Sequence, residues 1–282
     1  MIWEGAGFSF DCARRTLIMG IINVTPDSFA DGGRFSSPAQ AIEAALQMAE
    51  DGADILDIGG ESTRPGSEPV SSEEEIRRLL PVIEGIRKHT DTPISVDTYK
   101  AETADAACEA GAVILNDISG LTFDPGMAEV AAKHKTGVVV MHIRGTPRDM
   151  QTNPEYDNIF SEIILHLKHS MDIALEAGIP RVRIVLDPGI GFGKNLEHNL
   201  LLLGNLRRFS IMRRPLLLGV SRKSFIGMLS GATVDDRLPG TIAAVSASIL
   251  GGAHIVRVHD VAQIKQAVQV VDAITRADEE RM

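Results

Sequence analysis

Leu186-Asp187-Pro188-Gly189-Ile190-Gly191-Phe192-Gly193-Lys194 follows a β-branched apolar run, 182–186, of the length and composition of a buried strand. An acidic residue at the last strand position, then proline and three alternating glycines, fixes a carboxylate on a rigid element below a loop whose backbone can approach a ligand closely. Taken alone, the stretch also fits a plainer reading, in which Asp187 caps a helix starting near Asn195 and the glycines only turn the chain. The same construction recurs, however, along the whole sequence.

Working outward, strands are expected at 17–24, 54–59, 93–96, 112–115, 137–141, 182–186, 215–220 and 253–258, each running into a polar or glycine-rich segment. Between them lie helical patterns. Ser37-Pro38 opens one that runs to about Asp51, and Ser71 or Ser72 opens another, with Glu74 or Glu75 placed for a capping box. Further helices are read at 100–109, closed by Gly111, at 156–177, stopped by Gly178, at 241–250, and at the end to about Ala277. Eight strands alternating with helices are the pattern of a closed parallel (β/α)8 TIM barrel, an α/β fold, rather than an open doubly wound sheet. No composition shift splits the chain, so 1–282 reads as one domain: a barrel at 17–277 and a hairpin-like N-terminal extension, 1–16, covering one end.

Composition agrees. The 282 residues are 44% hydrophobic but only 4% aromatic, enough for a large and mostly aliphatic core. A net charge of −10 argues against nucleic acid or an anionic membrane as the main partner, since both require a clustered positive field. Cys12 and Cys108 fit no zinc or redox spacing and read as free thiols of a reducing compartment. With neither a signal peptide nor an apolar run long enough to span a bilayer, a cytoplasmic protein is expected.

Polar residues fall at or just past the strand ends: Asn23, Asp97, Asn116, Asp187, Lys223, and Arg257 or His259. In a barrel those ends share one face, where active sites are built. Asp97, Asn116 and Asp187 suit a flat heterocycle bearing amino, ring-nitrogen and oxo groups, because carboxylates accept from N–H while an amide both donates and accepts. Lys223 adds a donor. Arg64, Arg257 and His259 suit an anion such as phosphate, with Asn23 and Thr63 as neutral ligands or partners of a magnesium-bound water. His142 and His254 read as structural, and Met19, Met48 and Met141 as core filling.

Asn23-Val24-Thr25-Pro26-Asp27-Ser28-Phe29, Gly60-Glu61-Ser62-Thr63-Arg64-Pro65-Gly66, Ser95-Val96-Asp97-Thr98, Asn116-Asp117-Ile118-Ser119-Gly120, Met141-His142, the Asp187 stretch, Gly219-Val220-Ser221-Arg222-Lys223-Ser224 and Arg257-Val258-His259-Asp260 together closely resemble the dihydropteroate synthases of folate biosynthesis. The likeness runs from about Leu17 to Ala273; Ala30 stands where the family often has Ser, beside an intact Asp31-Gly32-Gly33. It implies a transferase joining 4-aminobenzoate to a dihydropterin-methyl diphosphate, with Mg2+ as cofactor, and a homodimer in which 241–250 and 263–274 bury a second face. By the family's pattern Asp97, Asn116, Ile118, Met141, Asp187, Phe192, Gly219, Lys223 and Arg257 would hold the pterin. Asn23, Thr63, Arg64, Arg257 and His259 would hold the diphosphate, with magnesium shared with Asn23. Phe29, Thr63, Pro65, Phe192, Lys223 and Ser224 would surround the aminobenzoate. Asp97, Asp187, Lys223 and Arg257 are the expected catalytic residues.

Three rivals stay open on sequence alone. An aldolase barrel would use Lys223 as a Schiff-base lysine. A pterin-barrel methyltransferase shares the pterin face, although Thr63-Arg64 and Ser221-Arg222-Lys223-Ser224 fit diphosphate and aminobenzoate better. A catalytically silent pterin-binding paralogue would bind without turnover.

Overall fold

The computed structural model describes residues 1–25 and 37–279. An N-terminal hairpin, β1 (Ile2–Gly5) and β2 (Phe8–Asp11), turns at the left-handed Gly7. Eight parallel strands follow: β3 (Leu17–Asn23), β4 (Ile55–Gly59), β5 (Ile94–Asp97), β6 (Ile114–Asp117), β7 (Gly137–Met141), β8 (Ile184–Asp187), β9 (Leu217–Leu218) and β10 (Ile255–Val258). They pair in the order β8-β7-β6-β5-β4-β3-β10-β9, and the Leu186–Leu216 bridge joins the two outer strands, closing the barrel.

The strands are buried on both faces, which is why they read as continuous apolar runs. Outward residues such as Ile22, Leu56, Ile58, Val96, Leu115, Val140, Leu186 and Val256 pack with the helices in one large core. Those helices are α1 (Pro38–Glu50), α2 (Ser72–Arg87), α3 (Ala101–Glu109), α4 (Gly126–His134), α5 (Ile159–Glu176), α6 (Leu196–Leu203), α7 (Ser224–Ser230), α8 (Leu238–Leu250) and α9 (Val261–Glu279). Inward residues Met19, Ile55, Ile114, Val139, Val185, Leu217 and Ile255 form a separate core with Trp3, Phe8 and Cys12 of the hairpin region. The hairpin thus stoppers the N-terminal end of the barrel. Trp3 donates from its indole to the Arg183 carbonyl at 2.9 Å and meets Phe8 edge to face at 5.2 Å.

Several expected boundaries move. The seventh strand shrinks to two residues because Pro215 and Leu216 are spent on the closure with Leu186 and on His254. The sixth starts at Ile184, after a 3-10 turn at Arg181–Arg183. Ser71 caps α2 by accepting from the Glu74 N–H, but the Glu74 carboxylate pairs with Arg77 and Arg78, so no capping box forms. Helices α4 and α7 were not anticipated, whereas α6 begins where a helix near Asn195 was read. Among the described residues no helix is long and apolar enough to cross a membrane.

Candidate active site

Side chains two apart on a strand share a face. Continuing the inward series one step beyond the apolar layer gives Asp57 on β4, Asp97 on β5, Asn116 on β6, Met141 on β7, Asp187 on β8, Gly219 past β9 and Arg257 on β10. The residue two positions beyond each apolar inward position therefore builds the floor of the C-terminal mouth.

Arg257 holds this floor together. Its Nε donates to Asp57 Oδ2 at 2.5 Å and its Nη2 to Asp97 Oδ2 at 2.6 Å. Asn116 Nδ2 donates to the same Asp57 oxygen at 3.2 Å. Asp57 is 0% and Asp97 8% exposed, and the second oxygen of each carboxylate is buried without a hydrogen-bond partner. Burial raises the Asp97 pKa to about 7, with Arg257 pulling it down and Asp57 adding to the rise. Burial pulls Arg257 down, but Asp57 and Asp97 more than offset this, and it stays fully charged. Asp57 was missed on sequence, where an acid inside Ile55-Leu56-Asp57-Ile58 reads as noise. The available signal was parity, since Leu56 and Ile58 face the helices and Asp57 must face the lumen.

Across the lumen, Asp187 is buried and its Oδ1 accepts from the Gly189 N–H at 2.7 Å, setting the loop above it. Asn195, not Asp187, caps the following helix, in a capping box with His198. Gly189 has φ +70°, and a Cβ there would lie 1.9 Å from the His142 carbonyl oxygen, so no other residue fits. Lys223, at the N-terminus of α7, donates to the Ile190 carbonyl and lies 4.7 Å over the Phe192 ring. Burial lowers its pKa to about 8, against the opposing pull of Asp187, whose own pKa burial raises. Behind the loop, the buried Lys194 donates to His142 Nδ1 and to the Phe192 carbonyl, both at 2.9 Å. His142 is thereby structural, as expected, and so is His254, whose Nδ1 accepts from the Leu216 N–H.

Ile118 and Met141 form an apolar cluster with Ile143 and Met150, against which Tyr99 and Phe192 pack. Ile143, Met150 and Tyr99 lie on loops, where no periodicity marks them. At the other side of the mouth, Ser221 Oγ lies 3.0 Å from His259 Nδ1, and Arg222 grips Asp260 through two contacts of 2.9 and 2.5 Å, tying the loops after β9 and β10 together. Asn23 ends β3 beside Gly59, where a Cβ would lie 3.6 Å from Asn23 Oδ1 and 3.5 Å from Asp97 Cβ. Thr63, half-buried, and the exposed Arg64 and Pro65 occupy the loop after β4, and Ser224 is exposed on the first turn of α7. Phe29 lies outside the described residues. Among the described residues no cluster of three or more His, Cys, Asp or Glu side chains is placed to hold a metal.

The family described as "Pterin binding enzyme" matches residues 19–259. The chain is 48% identical over 268 residues to a dihydropteroate synthase of Synechocystis, covering 95% of this chain and 93% of that one. It is 49% identical to that of Bacillus subtilis, over 92% of this chain and 89% of the relative. The chain belongs to the dihydropteroate synthases. Solved structures of the family agree: the Yersinia pestis synthase in a sulfonamide drug complex superposes with a TM-score of 0.93 at 42% identity, covering 98% of this chain and 100% of that one. The Xanthomonas albilineans synthase with 4-aminobenzoic acid gives 0.89 at 42% identity, over 97% and 98%. Family membership removes the aldolase reading of Lys223.

Proposed function

We propose that this chain condenses 4-aminobenzoate with (7,8-dihydropterin-6-yl)methyl diphosphate, giving 7,8-dihydropteroate and diphosphate in folate synthesis. The observation that carries the reading is the Asp57-Arg257-Asp97 bridge on the barrel floor, with Asn116 beside it and Asp187 and Lys223 opposite. It combines carboxylate acceptors, an amide and a planar cation around one lumen, the set a pterin's amino, ring N–H and oxo groups require.

In this reading the free acceptor oxygens of Asp97 and Asp187 take the pterin's N–H groups, Asn116 and Lys223 serve its ring nitrogen and carbonyl, and Gly219 leaves the floor flat. Ile118, Met141 and Phe192 line the ring. The carbon–oxygen bond to diphosphate breaks first, leaving positive charge on the exocyclic methylene and the pterin. Anionic Asp97 and Asp187 stabilise that charge in a water-poor site. Arg64, Arg257 and His259, with Thr63, receive the departing diphosphate. The neutral arylamine, held by Thr63, Pro65, Phe192, Lys223, Ser224 and Phe29, forms the new carbon–nitrogen bond and then loses a proton. No strong base or protein nucleophile is needed.

Magnesium fits this donor set as a substrate-borne ion. Mg2+ prefers hard oxygens, keeps several waters and is commonly held by one or two protein groups plus phosphate oxygens. Asn23 Oδ1, on the rim beside Gly59, supplies one such neutral oxygen. When bound, the ion neutralises charge on the diphosphate. A homodimer through α8 and α9 is part of the same proposal, supported by the exposed Leu250, Val270 and Ile274. A cytoplasmic location is supported by the two free thiols, Cys12 and Cys108.

The decisive assay mixes protein, pterin diphosphate and magnesium with and without 4-aminobenzoate, following diphosphate release and dihydropteroate by chromatography. Product that needs both substrates is expected; tight pterin binding without product would instead support the silent paralogue or the methyltransferase.

A further inference from the structure

A buried charge cluster lies beside the barrel mouth, and none of the steps above uses it. Lys100, the residue preceding α3, directs its ammonium at Glu61 Oε2 (2.5 Å) and Glu75 Oε2 (2.8 Å). Both acids are buried, at 8% and 1% exposure. Tyr99 Oη donates to Glu61 Oε1 at 2.6 Å and Thr103 Oγ1 to Glu75 Oε2 at 3.2 Å. Burial raises the pKa of Glu75, and Lys100 opposes that shift. An ion cluster this deep is a poor source of stability, because well-packed apolar residues of the same volume usually do as well. Its geometry shows what it specifies.

Glu61 Oε2, besides meeting Lys100, accepts from the Val70 N–H at 2.9 Å. One carboxylate therefore closes both ends of the loop 61–70, while Arg78 Nη1 holds the Gly60 carbonyl at 2.8 Å. The loop is braced within by Ser67 Oγ donating to the Ser62 carbonyl at 2.5 Å, and at its tip by Gly66 N–H donating to the Pro147 carbonyl at 2.9 Å. Thr63, Arg64 and Pro65 sit inside this closed loop. Lys100 carries the clamp across to α2 through Glu75 and to α3 through its own backbone, so the loop is referenced to two core helices rather than to solvent.

We propose that Glu61, Lys100 and Glu75 are positioning residues for the transferase reaction, clamping the ends of the loop so that Thr63 and Arg64 stand over the barrel mouth. The inference rests on the synthase reading of that mouth. Without the clamp the loop samples open arrangements, and if about one molecule in ten keeps the productive one, apparent affinities fall about tenfold. The groups on the barrel floor stay in place, so kcat changes less.

The test uses the full chain carrying Lys100→Met, Glu61→Gln, both together, and Lys100→Arg. Steady-state kinetics with both substrates is combined with amide hydrogen exchange resolved over 60–71. Expected for Lys100→Met and for Glu61→Gln is a rise of about tenfold in both KM values with kcat within about threefold, and exchange about tenfold faster in 61–70 with β5 and β8 unchanged. The double variant should be no worse than Lys100→Met, because the two residues form one device. Lys100→Arg, which keeps the charge, should return KM to near its starting value. Unchanged KM and exchange, with only a lower melting temperature, would overturn the proposal, as would additive losses in the double variant. Should the unsubstituted protein make no dihydropteroate, the synthase reading fails on that result alone, whereas the exchange data still decide whether the clamp exists.

Discussion

Replacing Asp57 with Asn removes a negative charge from the barrel floor without changing the side chain's size. In the native floor Asp57 Oδ2 accepts from both Arg257 and Asn116, and Oδ1 is buried without a partner. An Asn that keeps accepting from Arg257 must place its amino group where Oδ1 lies. A buried donor left unsatisfied costs about 1–3 kcal/mol, and at roughly 2–4 °C per kcal/mol for a chain of this size the melting temperature should drop by several degrees. Turnover at pH 8 should fall about ten- to a hundredfold, because the acceptor shared by Arg257 and Asn116 loses its negative charge. The sharper consequence concerns pH. Burial is the main reason the Asp97 pKa is raised to about 7, and the Asp57 charge contributes to that rise. In the proposed reading pterin binding uses the ionised form, so native kcat/KM should decline as pH falls through about 7. Without Asp57, Arg257 serves Asp97 alone and its pKa drops, moving this acid limb downward by on the order of one pH unit. Titration of the substrates is common to both proteins and cancels in the comparison. A variant with unaltered kcat and an acid limb at the native pH would refute the shared-anchor argument.

Asp97→Asn should cut kcat by about 10²–10³ with circular dichroism unchanged and melting lowered by no more than the several degrees expected for Asp57→Asn, since Arg257 keeps Asp57; loss of the fold in parallel with activity would count against an electrostatic role. Trp3→Ala should cost about 3–5 kcal/mol in chemical denaturation, because Trp3 is fully buried in the stopper, yet leave kcat/KM per folded molecule unchanged. A shifted KM there would mean that the stopper reaches the site. Chelation with EDTA should depress turnover, and added Mg2+ should restore it, without altering binding of a pterin that lacks diphosphate. Full activity under chelation would remove Asn23 from its assigned role.

How much of this was legible follows from how burial writes itself into sequence. Strands covered on both faces give apolar runs, so Asp97, Asn116 and Asp187, which stand where such runs stop, were legible by position as residues of the mouth. Arg257, inside its strand before the buried Val258, was read by position only as an alternative to His259 and was legible as a residue of the pterin floor only through the family resemblance. Asp57 interrupts its run instead of ending it, and only the alternation Ile55, Asp57, Gly59 betrays a lumen-facing acid. The seventh strand was overread because hydropathy reports burial, not pairing: Leu216, Leu217, Leu218 and Val220 are all buried, but only Leu217 and Leu218 belong to the strand. Helix α4 went unseen since Pro125 at its N-cap offers no side-chain acceptor and the left-handed Lys135, not a glycine, ends it. The Glu74 capping box failed because two arginines one turn on outcompete a backbone N–H for the carboxylate. Lys100 looks like any helix-initial lysine, and its two buried partners lie 39 and 25 residues away.

Because Trp3 and Phe8 stopper one end of the barrel, the lumen is a blind shaft with a single opening. In the proposed function the pterin goes to the bottom, where Asp57 and Asp97 are buried, while Arg64 and Ser224 remain exposed. Traffic in such a shaft is last in, first out. An arylamine that arrives early sits in the neck and bars the way down, so excess 4-aminobenzoate should inhibit turnover, and raising the pterin diphosphate should relieve that inhibition.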